Sequence, residues 1–178
     1  MSRVLPVVFA IVLLVGQAAV GAEEAELTLS IVIPGRGDNP GTLRWAGGPP
    51  APHFHVILRN ITTKPVRIFE EWNSWGYGSL RFEMTDEHGQ TTTIRKRPHA
   101  WTMNYPSFTT IAAQEFAIID VFFADRSVWG DGFWLTPGHP TGRVTLKAIY
   151  AVEEDKFSRE QSVWTGKIIS PPVECFIK

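Results

Sequence analysis

Hydrophobic and polar residues alternate in short runs along most of the chain. The clearest runs cover residues 27–33, 54–58, 80–84 and 144–152. Because successive side chains of a β-strand point to opposite faces, this period of two is typical of strands with one buried face. Shorter β-rich runs cover residues 66–68, 91–94, 116–123, 163–169 and 173–177. No segment shows a sustained helical period, so the pattern predicts eight or nine strands.

The predicted strands are joined by turns and loops rather than by helices. Parallel neighbours need a long crossover, usually a helix, whereas antiparallel neighbours need only a turn. We therefore expect an all-β fold in which two antiparallel sheets pack face to face as a sandwich. The apolar positions of the runs predict the core, which comprises Phe54, Val56, Leu58, Leu80, Phe82, Val144, Leu146, Tyr150 and Cys175.

Several of these features resemble one known kind of domain. Asn60 closes an alternating strand, and Pro65-Val66 opens the next. A late stretch reads Tyr150 … Val163-Trp164-Thr165-Gly166 … Ser170. Together they are similar to immunoglobulin-like sandwiches of exported bacterial proteins, in particular the BsuPI-type proteinase-inhibitor sandwich. The resemblance covers most of residues 54–177 and implies the fold. Proteinase inhibition is one function it implies, but no inhibitory motif matches position by position.

The N-terminus has the pattern of a secretory signal. Arg3 precedes an apolar run over residues 4–15, and small residues lead to Ala22. This order of charge, apolar segment and small residues is typical of a cleavable signal peptide. We expect cleavage after Ala22, with cleavage after Ala18 as the second choice. An uncleaved anchor is the alternative, since the stretch just reaches spanning length.

Cleavage at the first of these sites leaves a single domain of residues 23–178, secreted or periplasmic, with no membrane span. Its charge is 16 Lys+Arg, which is the chain's 17 less Arg3, against 18 Asp+Glu, or −2. Nucleic acids and anionic membranes need a basic face, so we expect neither as a partner. The single cysteine, Cys175, excludes an intramolecular disulfide. Stability must then come from the core.

The sequence contains no recognisable catalytic or cofactor motif. It has no Gly-x-Ser-x-Gly elbow, no His-Glu-x-x-His, no Cys-x-x-Cys and no phosphate loop. Cys175 alternates with Val173 and Ile177, which favours a buried thiol over a nucleophile. Adjacent Glu70 and Glu71 point to opposite faces if they lie in a strand, so they do not form an acid–base pair. We expect a non-enzymatic protein without a cofactor.

His53-Phe54-His55 is the best candidate for a metal site. In a strand, His53 and His55 share one face with Cα atoms about 6.5–7 Å apart, close enough for two imidazoles to bind one ion. A third ligand would come from His99, His139 or a carboxylate. Two surface histidines without a metal are the alternative.

Aromatic residues in three predicted loops are the strongest candidates for a binding site. The chain has seven Trp residues, and most lie outside the alternating pattern. The loop residues are Trp72, Trp75 and Tyr77, then Trp101 and Tyr105, then Trp129 and Trp134. Loops at one end of a sandwich can present such rings to a protein or a glycan. The alternative is that the loops fold back and bury the rings.

The two ligand classes call for different neighbouring groups. A glycan stacks on indole faces and needs nearby carboxylates or amides, for which Glu71, Asn73, Asn104 and Asp131 are candidates. A protein partner buries the same rings in a drier patch, with Arg97 or Arg126 at its rim. The sequence therefore predicts an exported binding or accessory domain of unknown ligand.

Overall fold

The computed structural model describes residues 26–34, 41–43, 54–123, 125, 127–130 and 142–177. Strands account for 51 % and helices for 7 % of the described structure. Several predictions lie outside the described residues, namely the signal peptide, His53, Arg126, Asp131, Trp134 and His139. Among the described residues, no helix is both long enough and apolar enough to cross a membrane.

Eleven strands and two short helices make up the described elements. The strands are β1 (Leu27–Val32), β2 (Thr42–Leu43), β3 (Phe54–Asn60), β4 (Val66–Phe69), β5 (Leu80–Asp86), β6 (Thr91–Ile94), β7 (Phe108–Ile111), β8 (Phe116–Val121), β9 (Gly142–Val152), β10 (Gly166–Ile169) and β11 (Val173–Ile177). The helices are α1 (Ser74–Tyr77) and α2 (Lys156–Glu160). The strands β2 and β7 come in addition to those predicted, because neither shows a clear apolar alternation.

The strands form three sheets within the described part of the chain. One sheet has the order β1-β3-β8, a second has the order β2-β11-β9-β5-β6 with β10 also paired to β9, and β4 pairs with β7. All neighbours are antiparallel except β2 and β11, which run parallel. The predicted all-β, mainly antiparallel fold is confirmed.

One hydrophobic core joins the sheets. All nine residues that the alternation assigns to the core are buried, so that prediction is confirmed. Phe54 of β3 meets Phe82 of β5 edge to face, with ring centroids 5.5 Å apart. Phe123 lies 5.0 Å from both rings, and Trp129 lies 5.4 Å from Phe82. Edge-to-face rings at such distances stabilise a core beyond their area of contact.

Asn60 holds the end of β3 to the turn between β7 and β8. Its side chain is fully buried, and Nδ2 lies 2.7–3.1 Å from the carbonyl oxygens of Lys64, Ile111 and Ala112. Its Oδ1 accepts from the backbone nitrogen and the hydroxyl of Thr62, at 2.9 and 2.8 Å. A buried amide needs such partners because leaving them unpaired costs about 1–3 kcal/mol each. The amide group of Asn60 is therefore fully hydrogen-bonded within the fold.

Candidate functional site

Two of the three aromatic loops lie side by side at one end of the fold. The backbone nitrogen of Ser74, in the β4–β5 loop, donates to Oδ1 of Asn104, in the β6–β7 loop, at 3.1 Å. Nδ2 of Asn104 donates back to the Ser74 hydroxyl at 2.6 Å. Nδ2 of Asn73 donates to the carbonyl and hydroxyl oxygens of Ser107 at 3.0 and 3.1 Å. The two loops therefore form one cross-linked surface.

The short helix α1 decides which way the rings of the first loop point. Asn73 is its N-cap, and Oδ1 accepts from the backbone nitrogens of Trp75 and Gly76 at 3.0 Å. Side-chain capping of this kind satisfies donors that a helix start leaves free. A Cβ at position 76 would lie 2.2 Å from the Glu70 carbonyl oxygen, so the turn requires glycine there. The tight turn sends Trp72 outward and Trp75 inward.

Trp72 and Tyr105 form an exposed ring pair at the surface where the loops meet. Trp72 is 46 % exposed and Tyr105 is 62 % exposed. Their ring centroids lie 4.9 Å apart at an interplanar angle of 70°. Met103, on the same loop as Tyr105, is also exposed. Large apolar groups gathered at a surface usually mark a site of interaction.

Glu70 fixes the orientation of the Trp72 indole. Nε1 of Trp72 donates to Oε2 of Glu70 at 2.5 Å, and the Ser107 hydroxyl donates to the same oxygen at 2.6 Å. The Thr109 hydroxyl donates to Oε1 at 3.3 Å. The bonds from Ser107 and then Trp72 lower the pKa of Glu70, because they favour the charged carboxylate. The exposed indole is therefore held by a charge-assisted hydrogen bond.

Trp75 and Trp129 face the interior instead. Trp75 packs against Phe69 and Phe157, and its Nε1 donates to Oδ2 of Asp155 at 3.1 Å. Trp129 is only 3 % exposed and belongs to the aromatic core. These two predicted contact residues therefore stabilise the domain from within, as the alternative interpretation of the loops anticipates.

Lys96 connects the third loop to the other two. Its ammonium lies 2.6 Å from Oε1 of Glu71, and its side chain is mostly buried. The same ammonium lies 5.0 Å from the ring centroid of Tyr77 and 5.5 Å from that of Trp129. A cation over aromatic faces is stabilised by the ring quadrupole, most strongly when desolvated. This contact brings Trp129 and the first loop together around one cation.

Tyr77 and Trp101 form a second, partly buried ring contact between the loops. Their centroids lie 5.4 Å apart at 82°, and His99 packs against both rings. Burial, and then the charge of Asp125, raise the pKa of Tyr77 above its usual range. Its phenol therefore stays neutral, and the contact supports the loops from beneath the surface.

The polar groups near the rings are already engaged within the protein. Glu71 pairs with Lys96, and Asn104 uses both its oxygen and its nitrogen on Ser74. Asn73 is fully buried as the cap of α1. Of the four side chains proposed to bind a glycan, each of the three described ones thus has at least one internal hydrogen-bond partner.

Of the four histidines in the metal hypothesis, the structure describes His55 and His99, and His99 packs against the rings of Tyr77 and Trp101. Nδ1 of His55 lies 2.7 Å from Oδ1 of Asp120, its cross-strand neighbour in β8. Within the described residues, no group of three His, Cys, Asp or Glu side chains could hold a metal ion. The pairing of His55 with His53 therefore stays a prediction.

Cys175 lies in the core, as the alternation of β11 predicts. Its side chain is fully buried, and burial raises the pKa of the thiol to about 12. Only the thiolate is a good nucleophile, so this environment keeps Cys175 unreactive.

The sequence did not single out the side chains that shape the exposed ring pair. Glu70 drew attention only as half of a carboxylate pair, and Ser107 did not stand out. A carboxylate two positions before a Trp in a turn is the signal that could have suggested the tether. No known protein family matches the chain, and no curated protein matches it either.

Proposed function

We propose that this protein is an exported, non-enzymatic binding domain whose exposed ring pair, Trp72 and Tyr105, anchors a protein partner. The observation that carries the proposal is the joint exposure of the two rings, 46 % and 62 %, on loops held together by hydrogen bonds. Trp and Tyr dominate the binding energy of protein interfaces because they bury large areas with few rotatable bonds.

The rigidity of the loops supports a binding role. A half-exposed indole gains less burial energy within its own domain than a core ring does, yet Glu70 holds Trp72 in one orientation. A ring fixed before binding loses less entropy when a partner covers it, so more of the contact energy becomes affinity. The cap at Asn73 and the Asn104–Ser74 bonds fix the backbone beneath it.

Two observations favour a protein over a glycan. The rings stand at 70° to each other, so they make an apolar projection rather than one flat stacking plane. Among the described groups that would bind sugar hydroxyls, Oε1 of Glu71 and the amide of Asn104 already have internal partners. A protein pocket of apolar character needs neither a plane nor free amides.

At the level of fold, we propose a two-sheet immunoglobulin-like sandwich related to the BsuPI-type inhibitor domains. The ring contacts between Phe54 of the β1-β3-β8 sheet and Phe82 of the larger sheet support it. Contacts of β1 with β9 and β10 support it as well. Proteinase inhibition is then one form that binding to a protein could take, with the exposed ring pair as the contact.

We also propose export by a signal peptide that is removed after Ala22, which leaves residues 23–178 as one domain. The apolar run behind Arg3 and the small residues before Glu23 support this proposal. N-terminal sequencing of protein purified from the producing cells tests it. A chain that begins at Glu23 agrees with the proposal, and an intact Met1 in the membrane fraction contradicts it.

The binding proposal is tested by comparing three immobilised forms of residues 23–178. These are the unaltered chain, Trp72→Ala and Tyr105→Ala, each incubated with extracellular and envelope proteins of the producing organism. We expect a specific protein on the unaltered chain and a loss of at least about tenfold with either variant. A glycan array probed with the same forms is the counter-test, and glycan binding that depends on Trp72 would overturn the protein assignment.

A further inference from the structure

The outward face of β8 carries the largest exposed apolar side chains of any strand described. Phe116 is 54 % exposed and Ile118 is 57 % exposed, whereas Ile119 and Val121 point into the core. In the described part of the chain β8 pairs only with β3, so it is an edge of its sheet. Proteins usually protect such edges, because an apolar edge strand is a template for pairing with another strand.

The backbone groups on this edge can be assigned residue by residue. The backbone nitrogen of Asn60 donates to the carbonyl oxygen of Glu115 at 2.9 Å, which makes them a hydrogen-bonded pair. Such pairs recur at every second residue of an antiparallel ladder. Residues 117, 119 and 121 therefore bond to β3. The N–H and C=O groups of Phe116, Ile118 and Asp120 point away from it, toward the free edge.

We propose that β8 pairs antiparallel with β8 of a second copy of this chain, about a two-fold axis that passes beside Ile118. This register sets Ile118 opposite the partner's Ile118 and Phe116 opposite the partner's Asp120. All three outward-pointing residues then form hydrogen-bonded pairs, which gives about six backbone hydrogen bonds between the copies. The two three-stranded sheets become one continuous six-stranded sheet.

The side chains on the outer face suit a second copy. Ile118 lies beside Ile57 of β3, so the central row across the interface is apolar in both copies. Phe116 lies beside Arg59, and the partner's Asp120 would sit on the other side of its ring. Opposite charges thus share the two outer rows, and no like charges meet. An isologous interface needs this kind of self-complementarity.

The other edge of the same sheet shows what an unsuited surface looks like. The outer face of β1 carries the polar Thr28 and Ser30 and, at the end of the strand, the apolar Val32. An apolar second strand would therefore meet polar side chains over most of that edge. The interface on β8 also shares no residue with the exposed ring pair, so a dimer leaves the proposed binding site open.

Sedimentation velocity on residues 23–178, from dilute to concentrated protein, tests the oligomeric state. We expect a reversible monomer–dimer equilibrium that Ile118→Lys weakens at least about 100-fold, because two ammonium groups would face each other at the axis. Ser30→Lys adds the same charge to the same face on β1 and should leave the equilibrium unchanged. A chain that stays monomeric throughout, or a dimer that tolerates Ile118→Lys, overturns the proposal.

Cross-linking tests the register itself. Opposite residues of a hydrogen-bonded pair have Cα atoms about 5.5 Å apart, within reach of a disulfide. Ile118→Cys should therefore give a covalent dimer under mild oxidation, and the buried Cys175 should not interfere. Phe116→Cys is the matched control, since its two copies would lie about 14 Å apart and should not cross-link. Equal cross-linking of both variants, or none with Ile118→Cys, contradicts the register.

Discussion

The exposed ring pair and the inward-facing rings Trp75 and Trp129 come from the same loops but have opposite surroundings. Trp72 and Tyr105 stand in solvent, with the Trp72 indole tied to Glu70. The Trp75 indole donates a hydrogen bond to Asp155, and Trp129 is buried in the core. Both indole N–H groups of the β4–β5 loop thus bind a carboxylate, one at the surface and one against α2.

A concentration of aromatic residues in loops therefore does not by itself reveal which rings are available to a partner. A Trp contributes to stability when it leaves water and to recognition when it is held in water. Both indoles are tied to a carboxylate, so exposure is what separates Trp72 from Trp75. The two sets of rings should therefore respond to mutation in opposite ways, in stability for one and in binding for the other.

The largest expected effect on stability is at Trp129. Trp129→Ala removes a ring that packs against Phe82 and Phe123 and that Lys96 lies over, so we expect a loss of about 3–5 kcal/mol in the free energy of unfolding. Urea titration followed by circular dichroism measures it. A loss comparable with that of Trp72→Ala would mean that Trp129 is not a core residue.

A smaller effect is expected at Trp75. Trp75→Phe keeps an aromatic ring against Phe157 but removes the N–H group that donates a hydrogen bond to Asp155. Asp155 is also the N-cap of α2. We expect a loss of about 1.5–3 kcal/mol, the usual range for a hydrogen bond to a charged group. Trp72→Phe is the control and should change stability less. Equal losses for the two variants would remove the distinction between inner and outer rings.

The next effect is a pH dependence of the hydrogen bond between Glu70 and Trp72. The pKa of Glu70 is lowered in the folded protein. Its ionised carboxylate therefore contributes to folding stability above the usual pKa of 4.5, and this contribution is lost as the pH falls through the lower pKa of the folded state. Protonation weakens the bond to Nε1 of Trp72, and we expect a change in indole fluorescence below pH 4.5 with little unfolding. Glu70→Gln should abolish that transition. A transition that persists in Glu70→Gln belongs to another group.

The smallest expected effect on stability is at the exposed ring pair. Trp72→Ala and Tyr105→Ala should each change the free energy of unfolding by no more than about 1 kcal/mol, because both rings are largely exposed and water replaces the hydrogen bond that Trp72→Ala removes. Thermal unfolding of both variants checks this. A loss of several kcal/mol would show that the pair supports the fold, and any loss of binding would then have a structural cause.

The core could be predicted from the sequence because alternation depends on local geometry alone. In β3, β5 and β9 the apolar residues that occupy every second position are buried, whichever strand lies beside them. The strand β7, with the sequence Phe-Thr-Thr-Ile, was not predicted because Thr suits either face of a sheet. Only the pairing of β7 with β4 shows that this segment is a strand.

The candidate site could be predicted only in outline. The spacing of the rings placed them in loops, but their exposure depends on how α1 turns at Gly76 and where Asp155 lies, about 80 positions away. Long-range contacts of this kind leave no local pattern. The edge properties of β8 were hidden for the same reason, since they follow from its place in the sheet order.

Site-specific photo-cross-linking can identify the molecule that covers the exposed ring pair. A benzoylphenylalanine residue in place of Tyr105 reports what touches the exposed ring pair, and the same residue in place of the exposed Thr93 on β6 is the control. In the producing cells we predict one protein adduct at position 105, absent at position 93 and reduced at least about tenfold by Trp72→Ala. Equal adducts at both positions, or an adduct at 105 that Trp72→Ala leaves intact, would contradict the account.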